Sequence, residues 1–242
     1  MVYDLDCLQG ASNSIIEKGE NKMTITKQDL INRIDHSLLK PNLTMEEYVN
    51  GLNYAKEIGA AAVCVNPHRL KLAKEILDNT GVEIGTVIGF PSGAHSTAVK
   101  VFEAKDAVEN GATELDMVID IGAMIDGDYD KVRDDIKAVV DATPAVVKVI
   151  LENAFLTKEQ IKKGSELVEE AGAHYVKTST GFASSGSTVE DLKLMRESVS
   201  PHIKVKAAGG LRTLEDCIAA IEAGSDRVGI SNTKAILAEF DK

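Results

Sequence analysis

Four charged residues interrupt runs of apolar, strand-like sequence and are the first candidates for chemistry: Asp116, Lys148, Lys177 and Lys206. If these strands are buried, the ammonium groups disfavour each other's charged forms, so at least one lysine should have a lowered pKa. A neutral amine attacks carbonyl carbon, which is the first step of Schiff-base catalysis. A neighbouring carboxylate can balance charge and transfer protons. The four residues therefore predict imine chemistry. The alternative left open is a buried structural network of ion pairs.

Glycine and hydroxyl residues follow three consecutive predicted strands, in Thr178 to Phe182, Ala208 to Arg212 and Gly229 to Asn232. In barrels of alternating strands and helices, the backbone N–H groups of such loops commonly cradle a phosphate. One Gly-Gly pair is more often a simple turn, but three such loops in adjacent units are more specific. Together they predict phosphate contacts from six residues: Thr180, Gly181, Gly209, Gly210, Ser231 and Asn232.

The histidines and cysteines give little support for a metal or a cofactor. The five histidines show no HxH or HExxH spacing, so we predict a metal-free site without a cofactor. His36 and His95 fall near the ends of predicted strands, and a role there stays open. The odd number of cysteines and the absence of a CxxC pair indicate a reduced, cytoplasmic protein. The cysteines are Cys7, Cys64 and Cys217.

Cys64 and Asn66 lie at the end of one predicted strand. Cys64 is more typical of a small apolar interior residue than of a nucleophile, since the spacing places no histidine beside it. Asn66 is predicted to make a polar contact with the substrate at the mouth of the barrel.

The elements that would position these residues alternate along the chain. Short apolar, β-branched runs are separated by amphipathic stretches of helical period. About eight such units of roughly 25 to 30 residues predict a single-domain α/β fold, a closed (β/α)8 TIM barrel over residues 23–242. Residues 1–22 show no periodicity and are predicted to form a poorly ordered extension. The predicted strands are Arg33 to Ser37, Ala61 to Val65, Glu83 to Gly89, Glu114 to Asp120, Ala145 to Leu151, Tyr175 to Thr178, Ile203 to Ala207 and Arg227 to Ile230.

A repeated glycine supports the barrel. Four predicted helices end at a glycine suited to a left-handed C-cap: Gly59, Gly111, Gly172 and Gly224. Five residues further on, in the even-numbered strands, stand Cys64, Asp116, Lys177 and Gly229. Alternate strands fill one interior layer of such a barrel, so we expect Asp116 and Lys177 to share a layer. The alternative is that one or both point outward.

Composition narrows the possible partners. The chain has 242 residues, 44% of them hydrophobic, and a formal net charge of −11. A chain of this length can bury a core without disulfides or a structural metal. A sequence pI near 5.0 and the lack of a basic run disfavour nucleic acid. No run approaches the ~20 apolar residues of a membrane span. An anion can still bind where the site is locally positive.

Six segments together resemble the deoxyribose-phosphate aldolase family. They occur in the family's order from about Ile34 to Ser231, and the set is far more specific than any member. The segments are Ile34 to Pro41, Val63 to Pro67, Ile88 to Gly93, Glu114 to Val118, Lys177 to Phe182 and Lys206 to Gly210.

The resemblance implies a (β/α)8 barrel and a class I, metal-free, reversible cleavage of 2-deoxy-D-ribose 5-phosphate to glyceraldehyde 3-phosphate and acetaldehyde. It implies that Lys177 forms the imine, that Asp116 relays protons and that Lys206 perturbs its neighbour. Asp35 and Ser37 are similar to positions near the substrate hydroxyls. Lys148 is similar to a further lysine at the barrel mouth, and a homodimer or homotetramer is left open.

Two departures from the family pattern qualify this expectation. A Ser-Ser pair usual after the last strand is Ser231-Asn232 here, and the amide can still donate a hydrogen bond. The sequence ends at Phe240 to Lys242 without the tyrosine that some members use in proton transfer. We expect this to affect turnover speed more than reaction type. Two rivals stay open: a class I aldolase for another sugar phosphate, and a phosphosugar-binding protein without catalysis.

Overall fold

The computed structural model describes residues 25–241. Eight parallel strands close into a barrel in which each strand pairs with the next along the chain and the eighth pairs with the first. The strands are β1 (Ile34–Leu38), β2 (Ala62–Val65), β3 (Glu83–Ile88), β4 (Glu114–Val118), β5 (Val146–Ile150), β6 (Tyr175–Lys177), β7 (Lys204–Ala208) and β8 (Arg227–Ile230).

Helices pack around the strands. They are α1 (Lys27–Ile31), α2 (Met45–Ile58), α3 (Leu70–Leu77), α4 (Thr97–Glu109), α5 (Ile121–Asp126), α6 (Tyr129–Ala142), α7 (Lys158–Glu170), α8 (Val189–Glu197), α9 (Leu214–Glu222) and α10 (Thr233–Leu237). Short 3₁₀ turns occupy Pro67–Arg69, Asn153–Phe155 and Ala238–Asp241. The predicted single-domain (β/α)8 barrel is confirmed, and each predicted strand overlaps an observed one.

Local sequence explains where the helices begin and end. Capping boxes, in which a threonine and the third helical residue satisfy each other's backbone N–H groups, begin α1, α2, α7 and α9. The predicted glycines all adopt a positive φ after their helices, at Gly59, Gly111, Gly172 and Gly224. The chain therefore turns into the next strand at the positions that the repeat predicted.

The strands divide their side chains between two environments. In β4, Leu115 and Met117 are fully buried in the apolar core that surrounds the strands, while Asp116 between them faces the barrel interior. Strand register brings Asp116 level with Lys148, and Lys177 level with Lys206. The two-residue alternation thus gathers charged groups on one side of the sheet and apolar groups on the other.

Two further predictions concern the N-terminal extension and membrane-spanning helices. The predicted extension, residues 1–22, lies outside the described residues. Within residues 25–241, no helix combines the length and apolar character needed to cross a membrane.

Candidate active site

A cavity of about 340 Å³ opens at the carboxyl ends of the strands, where barrel enzymes hold their active sites. Its mouth is formed by the segments that follow β1, β6, β7 and β8. Four basic side chains line it, Lys40, Lys177, Lys206 and Arg212, against one carboxylate, Asp35. The cavity is therefore locally positive in a protein whose net charge is −11.

Three charged side chains meet at the cavity floor. Oδ2 of Asp116 lies 2.6 Å from Nζ of Lys177 and 2.7 Å from Nζ of Lys206. Lys177 is 3% exposed and Asp116 is fully buried, so water screens this cluster weakly. The barrel interior thus brings together three of the four charged residues identified from the sequence. Lys177 and Lys206 follow Asp116 by 61 and 90 positions in the chain.

Burial and neighbouring charge set different pKa values for the two lysines. Burial lowers the pKa of Lys177, the carboxylate of Asp116 opposes this, and Lys206 lowers it further, so the net shift is downward. For Lys206 burial also lowers the pKa, but Asp116 and Asp35 outweigh it and the net shift is upward. Lys177 is therefore the lysine of the pair that more readily gives up its proton.

The carboxyl group of Asp116 remains an anion beside these lysines. Burial alone would raise its pKa, but the ammonium groups of Lys177, Lys206 and Lys148 hold the pKa well below its usual range. An ionised carboxylate that contacts both amines can accept or return a proton when chemistry at Lys177 demands it.

Lys148 does not lie at the barrel mouth, so that expectation is wrong. Its side chain is fully buried in the interior and does not line the cavity. Its Nζ contacts the carboxylate of Glu114, lies 3.1 Å from Oδ2 of Asp35, and lies 3.5 Å from Oδ1 of Asp116. Lys148 therefore belongs to a layer of ion pairs beneath the cavity floor.

Asp35 and Ser37 both line the cavity, where the family resemblance implied that they would lie. Ser37 is half-buried, which leaves its hydroxyl accessible from the cavity side. The carboxylate of Asp35 is 1% exposed and is engaged by Lys148, Lys206 and Arg227. Asp35 thus contributes chiefly to the charge network.

The glycine loops surround the cavity mouth. Gly181, Gly209 and Gly210 all line it with positive φ values, and Ser231 lines it from the loop after β8. A Cβ atom on Gly186 would lie 2.3 Å from the carbonyl carbon and oxygen of Gly209, so the two loops touch through their backbones. Only glycine permits this approach, which leaves backbone groups facing the cavity.

The side chains of Thr180 and Asn232 are not placed as expected for phosphate contacts. Thr180 lines the cavity, but its hydroxyl contacts the carboxylate of Glu152 and accepts a hydrogen bond from the Phe182 backbone N–H at 3.0 Å. Asn232 does not line the cavity and sits as the exposed residue that begins α10. Thr180 organises its loop, and the predicted phosphate role of Asn232 has no geometric support.

Asn66 is also directed away from the cavity. Its Nδ2 donates to Oη of Tyr48 at 3.0 Å and to the Leu39 carbonyl at 3.4 Å. The predicted contact at the cavity mouth is therefore wrong, because these partners tie the amide to the neighbouring β1 loop and α2.

Cys64 behaves as the apolar interior residue that was expected. It is 3% exposed, and burial together with Asp116 raises the pKa of its thiol to about 12. Its Sγ lies 3.9 Å from Oδ2 of Asp116. A thiol held protonated in this way is a poor nucleophile.

The two histidines left open do not reach the cavity. His36 is buried, and its Nδ1 lies 2.8 Å from the Thr233 hydroxyl. Burial lowers the pKa of His36 to about 4. His95 is exposed on the segment before α4. Within residues 25–241, no cluster of three or more His, Cys, Asp or Glu side chains could hold a metal ion.

Sequence reasoning missed two interior residues, Glu114 and Arg227. Each stands two positions before an interior residue on the same strand, Asp116 in β4 and Gly229 in β8. Because residues two positions apart on a strand face the same side of the sheet, the placement of Asp116 and Gly229 in the interior contained the signal for both. It also missed Glu152, which follows β5 in a loop and whose pairing with Thr180 no spacing rule anticipates.

Comparison with known proteins decides the family. The DeoC/LacD family aldolase pattern matches residues 24–238, which is nearly the whole chain. The chain belongs to the DeoC/LacD aldolase family. A deoxyribose-phosphate aldolase from Thermococcus gammatolerans is 54% identical over 209 residues, covering 84% of this chain and 93% of that protein.

Solved structures agree with this DeoC/LacD family assignment. An aldolase designated QR15 superposes with a TM-score of 0.84 at 46% identity, covering 88% of this chain and 96% of that one. A deoxyribose phosphate aldolase from Aeropyrum pernix, described as a unique tetramer, has a TM-score of 0.81 at 32% identity and covers 90% and 93%. This DeoC/LacD family chain therefore shares both sequence and fold with aldolases over most of its length.

Proposed function

We propose that this chain is a class I deoxyribose-phosphate aldolase. It reversibly cleaves 2-deoxy-D-ribose 5-phosphate to D-glyceraldehyde 3-phosphate and acetaldehyde through a Schiff base on Lys177. The observation that carries the proposal is the buried amine of Lys177 at the cavity floor, 2.6 Å from a carboxylate that Lys206 shares at 2.7 Å. The relatives named deoxyribose-phosphate aldolase at about 54% identity support the choice of substrate.

Cleavage begins with attack of the neutral Lys177 amine on the aldehyde carbon C1 of the open-chain sugar. Loss of water gives a protonated imine, which draws electrons from the adjacent bond. The C2–C3 bond then breaks as a base takes the proton of the C3 hydroxyl, and the bonding electrons form an enamine. Carbons C3 to C5 leave as glyceraldehyde 3-phosphate. Protonation of the enamine at C2 and hydrolysis of the imine release two-carbon acetaldehyde and restore Lys177.

Asp116 is the group placed to move protons during these steps. Its carboxylate already contacts Lys177, and it remains ionised because three lysines surround it. A relay of this kind contributes about 10²- to 10⁴-fold in rate. Burial and the fixed positive charge of Lys206 both lower the pKa of Lys177, and Lys206 holds the carboxylate from its other side.

The 5-phosphate is proposed to bind at the glycine loops. Gly181, Gly209 and Gly210 offer backbone groups to the cavity, Ser231 offers a hydroxyl, and Arg212 adds positive charge at the mouth. These groups follow β6, β7 and β8 at the cavity mouth, whereas Lys177 lies within β6, so a phosphate held at the mouth would leave the aldehyde end free to reach the amine.

A donor-specificity assay tests the proposal. With 2-deoxy-D-ribose 5-phosphate the protein should release acetaldehyde, measured by NADH oxidation with alcohol dehydrogenase, whereas D-ribose 5-phosphate should give no two-carbon product. Lys177→Met should abolish the signal, and Lys193→Met, at an exposed position of α8, should retain it. Cleavage of another sugar phosphate in preference would favour the rival aldolase. Binding of the sugar phosphate without turnover would favour the non-catalytic binding protein.

Assembly and location follow as further parts of the proposal. The tetrameric relative from Aeropyrum pernix supports a homo-oligomer, as a dimer or a tetramer. We place the protein in the cytoplasm, since Cys64 and Cys217 are both buried free thiols and the substrates are small metabolites. Nucleic acid stays excluded as a partner by the charge argument.

A further inference from the structure

Below the cavity floor the barrel holds a second layer of charged side chains that the proposed reaction does not use. Glu114 contacts Nζ of Lys148, and its other oxygen lies 3.5 Å from Nη2 of Arg227. Nη1 of Arg227 lies 2.5 Å from Oδ1 of Asp35. Neither Glu114 nor Arg227 lines the candidate active site; both line a separate cavity at the opposite end of the barrel.

This layer is joined to the reacting amine through shared partners. Asp35 contacts Lys206 and also lies 3.1 Å from Nζ of Lys148. Lys148 in turn lies 3.5 Å from Oδ1 of Asp116, which contacts Lys177. Each step is an ion pair within 4 Å between side chains that are at most 5% exposed, apart from Arg227 at 16%. The electrostatic effect on Lys177 of a change of charge in the lower layer is therefore only weakly screened.

The formal charges of the ion-paired side chains favour the loss of one proton from an amine. It contains three carboxylates, Asp35, Glu114 and Asp116, and four potential cations, Lys148, Lys177, Lys206 and Arg227. Four cations against three anions leave an uncompensated buried charge, which is strongly unfavourable. The network is balanced when one lysine gives up its proton. Lys148, Lys206 and Arg227 each contact two or more carboxylates, whereas Lys177 contacts Asp116 alone among the described residues.

We propose that Glu114 and Arg227 are positioning residues of opposite effect: through the buried network Glu114 favours the protonated form of Lys177 and Arg227 favours its neutral form. This inference rests on the proposed imine chemistry and assigns these two residues no contact with substrate. Glu114 acts by neutralising Lys148, which would otherwise compete for Asp116. Arg227 acts by neutralising Asp35. Without Arg227 the network would carry a net negative charge, which would favour protonation of Lys177.

Charged and titratable groups reach Lys177 from several strands. Asp116 faces it from β4, Lys206 from β7 and Cys64 from β2, and Glu152 acts on it from the loop after β5. Glu114 and Arg227 act one layer further away, through Lys148 and Asp35, and Tyr175 lies beside them with its ring 5.7 Å from Nζ of Lys148. Both substitutions below leave all four direct neighbours of Lys177 in place.

Removing the two charges separately should move the titration of Lys177 in opposite directions. Glu114→Gln leaves an excess positive charge, so the pKa of Lys177 should fall by about one unit. Arg227→Gln leaves an excess negative charge, so the pKa of Lys177 should rise by about one unit. The double variant restores the balance, and its Lys177 should titrate within about 0.3 unit of the unmodified protein. General damage to the barrel would not produce opposite signs or a recovery in the double variant.

The experiment is competitive acetylation with trace acetic anhydride across pH, which reports the neutral fraction of each amine by peptide mass spectrometry. It uses the full chain and no substrate. Lys204→Gln is the matched control, because Lys204 lies at the same end of the barrel and is exposed, and no ion pair to the network is present among the described residues. It should leave the titration of Lys177 unchanged. Arg227→Lys, which retains the charge, should also leave it nearly unchanged.

The acid limb of kcat/KM should follow the same order, moving to lower pH in Glu114→Gln and to higher pH in Arg227→Gln. Equal titration of Lys177 in both variants, or a shift of one sign in both, would overturn the inference even in an active aldolase. If Glu114→Gln does not fold, the contrast between Arg227→Gln and Arg227→Lys decides it. If the titrations shift as expected but no sugar phosphate is cleaved, the charge coupling stands and the proposed function fails.

Discussion

At the scale of single residues, the site depends on a difference between two lysines on neighbouring strands. Lys177 and Lys206 share one carboxylate oxygen at almost equal distances of 2.6 and 2.7 Å. Burial lowers the pKa of both, but Lys206 also contacts Asp35 and so keeps its proton. Because Asp35 contacts Lys206, Lys206 remains a fixed cation and Lys177 becomes the nucleophile.

Asp116→Asn should slow proton transfer while leaving phosphate binding intact. We expect kcat to fall about 10²- to 10⁴-fold and KM for 2-deoxy-D-ribose 5-phosphate to change little, because Asp116 does not line the cavity. Exchange of acetaldehyde methyl protons in D₂O, followed by NMR, reports the enamine step directly. Exchange at the unmodified rate in this variant would remove Asp116 from the relay.

His36 should make the protein less stable as the pH falls below neutrality. Burial lowers its pKa from 6.5 in the unfolded chain to about 4 in the fold, so between these values the unfolded chain binds the extra proton. The stability contributed by the neutral ring is complete above pH 6.5 and is lost as the pH falls toward 4. From pH 7 to 5 this amounts to about 2 kcal/mol.

The comparison with His36→Asn isolates this contribution. Urea unfolding of both proteins should show their difference in unfolding free energy narrowing by about 2 kcal/mol between pH 7 and 5. A difference that stays constant with pH would show that His36 is not held neutral by the fold.

At the scale of elements, helix α4 and helix α6 are joined by a buried ion pair that their sequences did not reveal. Nζ of Lys100 lies 2.6 Å from Oδ2 of Asp135, and the Thr97 hydroxyl donates to the other oxygen at 2.7 Å. Lys100 is fully buried. Asp135→Asn should therefore destabilise the protein by about 3 to 5 kcal/mol, because it leaves a buried ammonium without a counter-ion.

The matched control lies on the same helix. Lys137 and Asp141 form an exposed pair on α6 at 3.0 Å, so Asp141→Asn should cost less than about 1 kcal/mol. Thermal unfolding of both variants checks the contrast. Equal losses would show that the pair between α4 and α6 contributes no more than a surface pair.

Sequence periodicity predicted the strands better than it predicted the directions of long side chains. The alternation of β4 and β6 placed Asp116 and Lys177 in the interior, since the period of a strand is set by its backbone. Lys148 has the same register as Asp116. Its flexible chain nevertheless turns down to Glu114 and Asp35, because these carboxylates lie below it. The contact of the Thr180 hydroxyl with Glu152 was likewise not anticipated, because Glu152 lies 28 positions away in the chain.

At the scale of the whole molecule, the barrel could be predicted because every unit repeats the same signals. The four glycines of positive φ that follow helices and the alternation of strand and helix all indicate one closed barrel, which the structure confirms. What the sequence could not give was the charge balance of the interior. That balance depends on contacts among side chains of β1, β4, β5, β6, β7 and β8, which are brought together only by closure of the sheet.

The proposed oligomer is a property of the same scale. Native mass spectrometry of the full chain should show a species of two or four times the chain mass. A single species of one chain at micromolar concentration would refute the assembly while leaving the site intact, because the cavity described here is lined by residues of one chain.

Borohydride trapping with 2-deoxy-D-ribose 5-phosphate, read by peptide mass, tests the central claim most directly. Reduction of the imine should leave a covalent adduct on the peptide that carries Lys177 and none on the peptides that carry Lys148 or Lys206. The adduct should be absent from Lys177→Ala. Labelling of Lys148 or Lys206 instead, or turnover without any trapped adduct, would contradict the account.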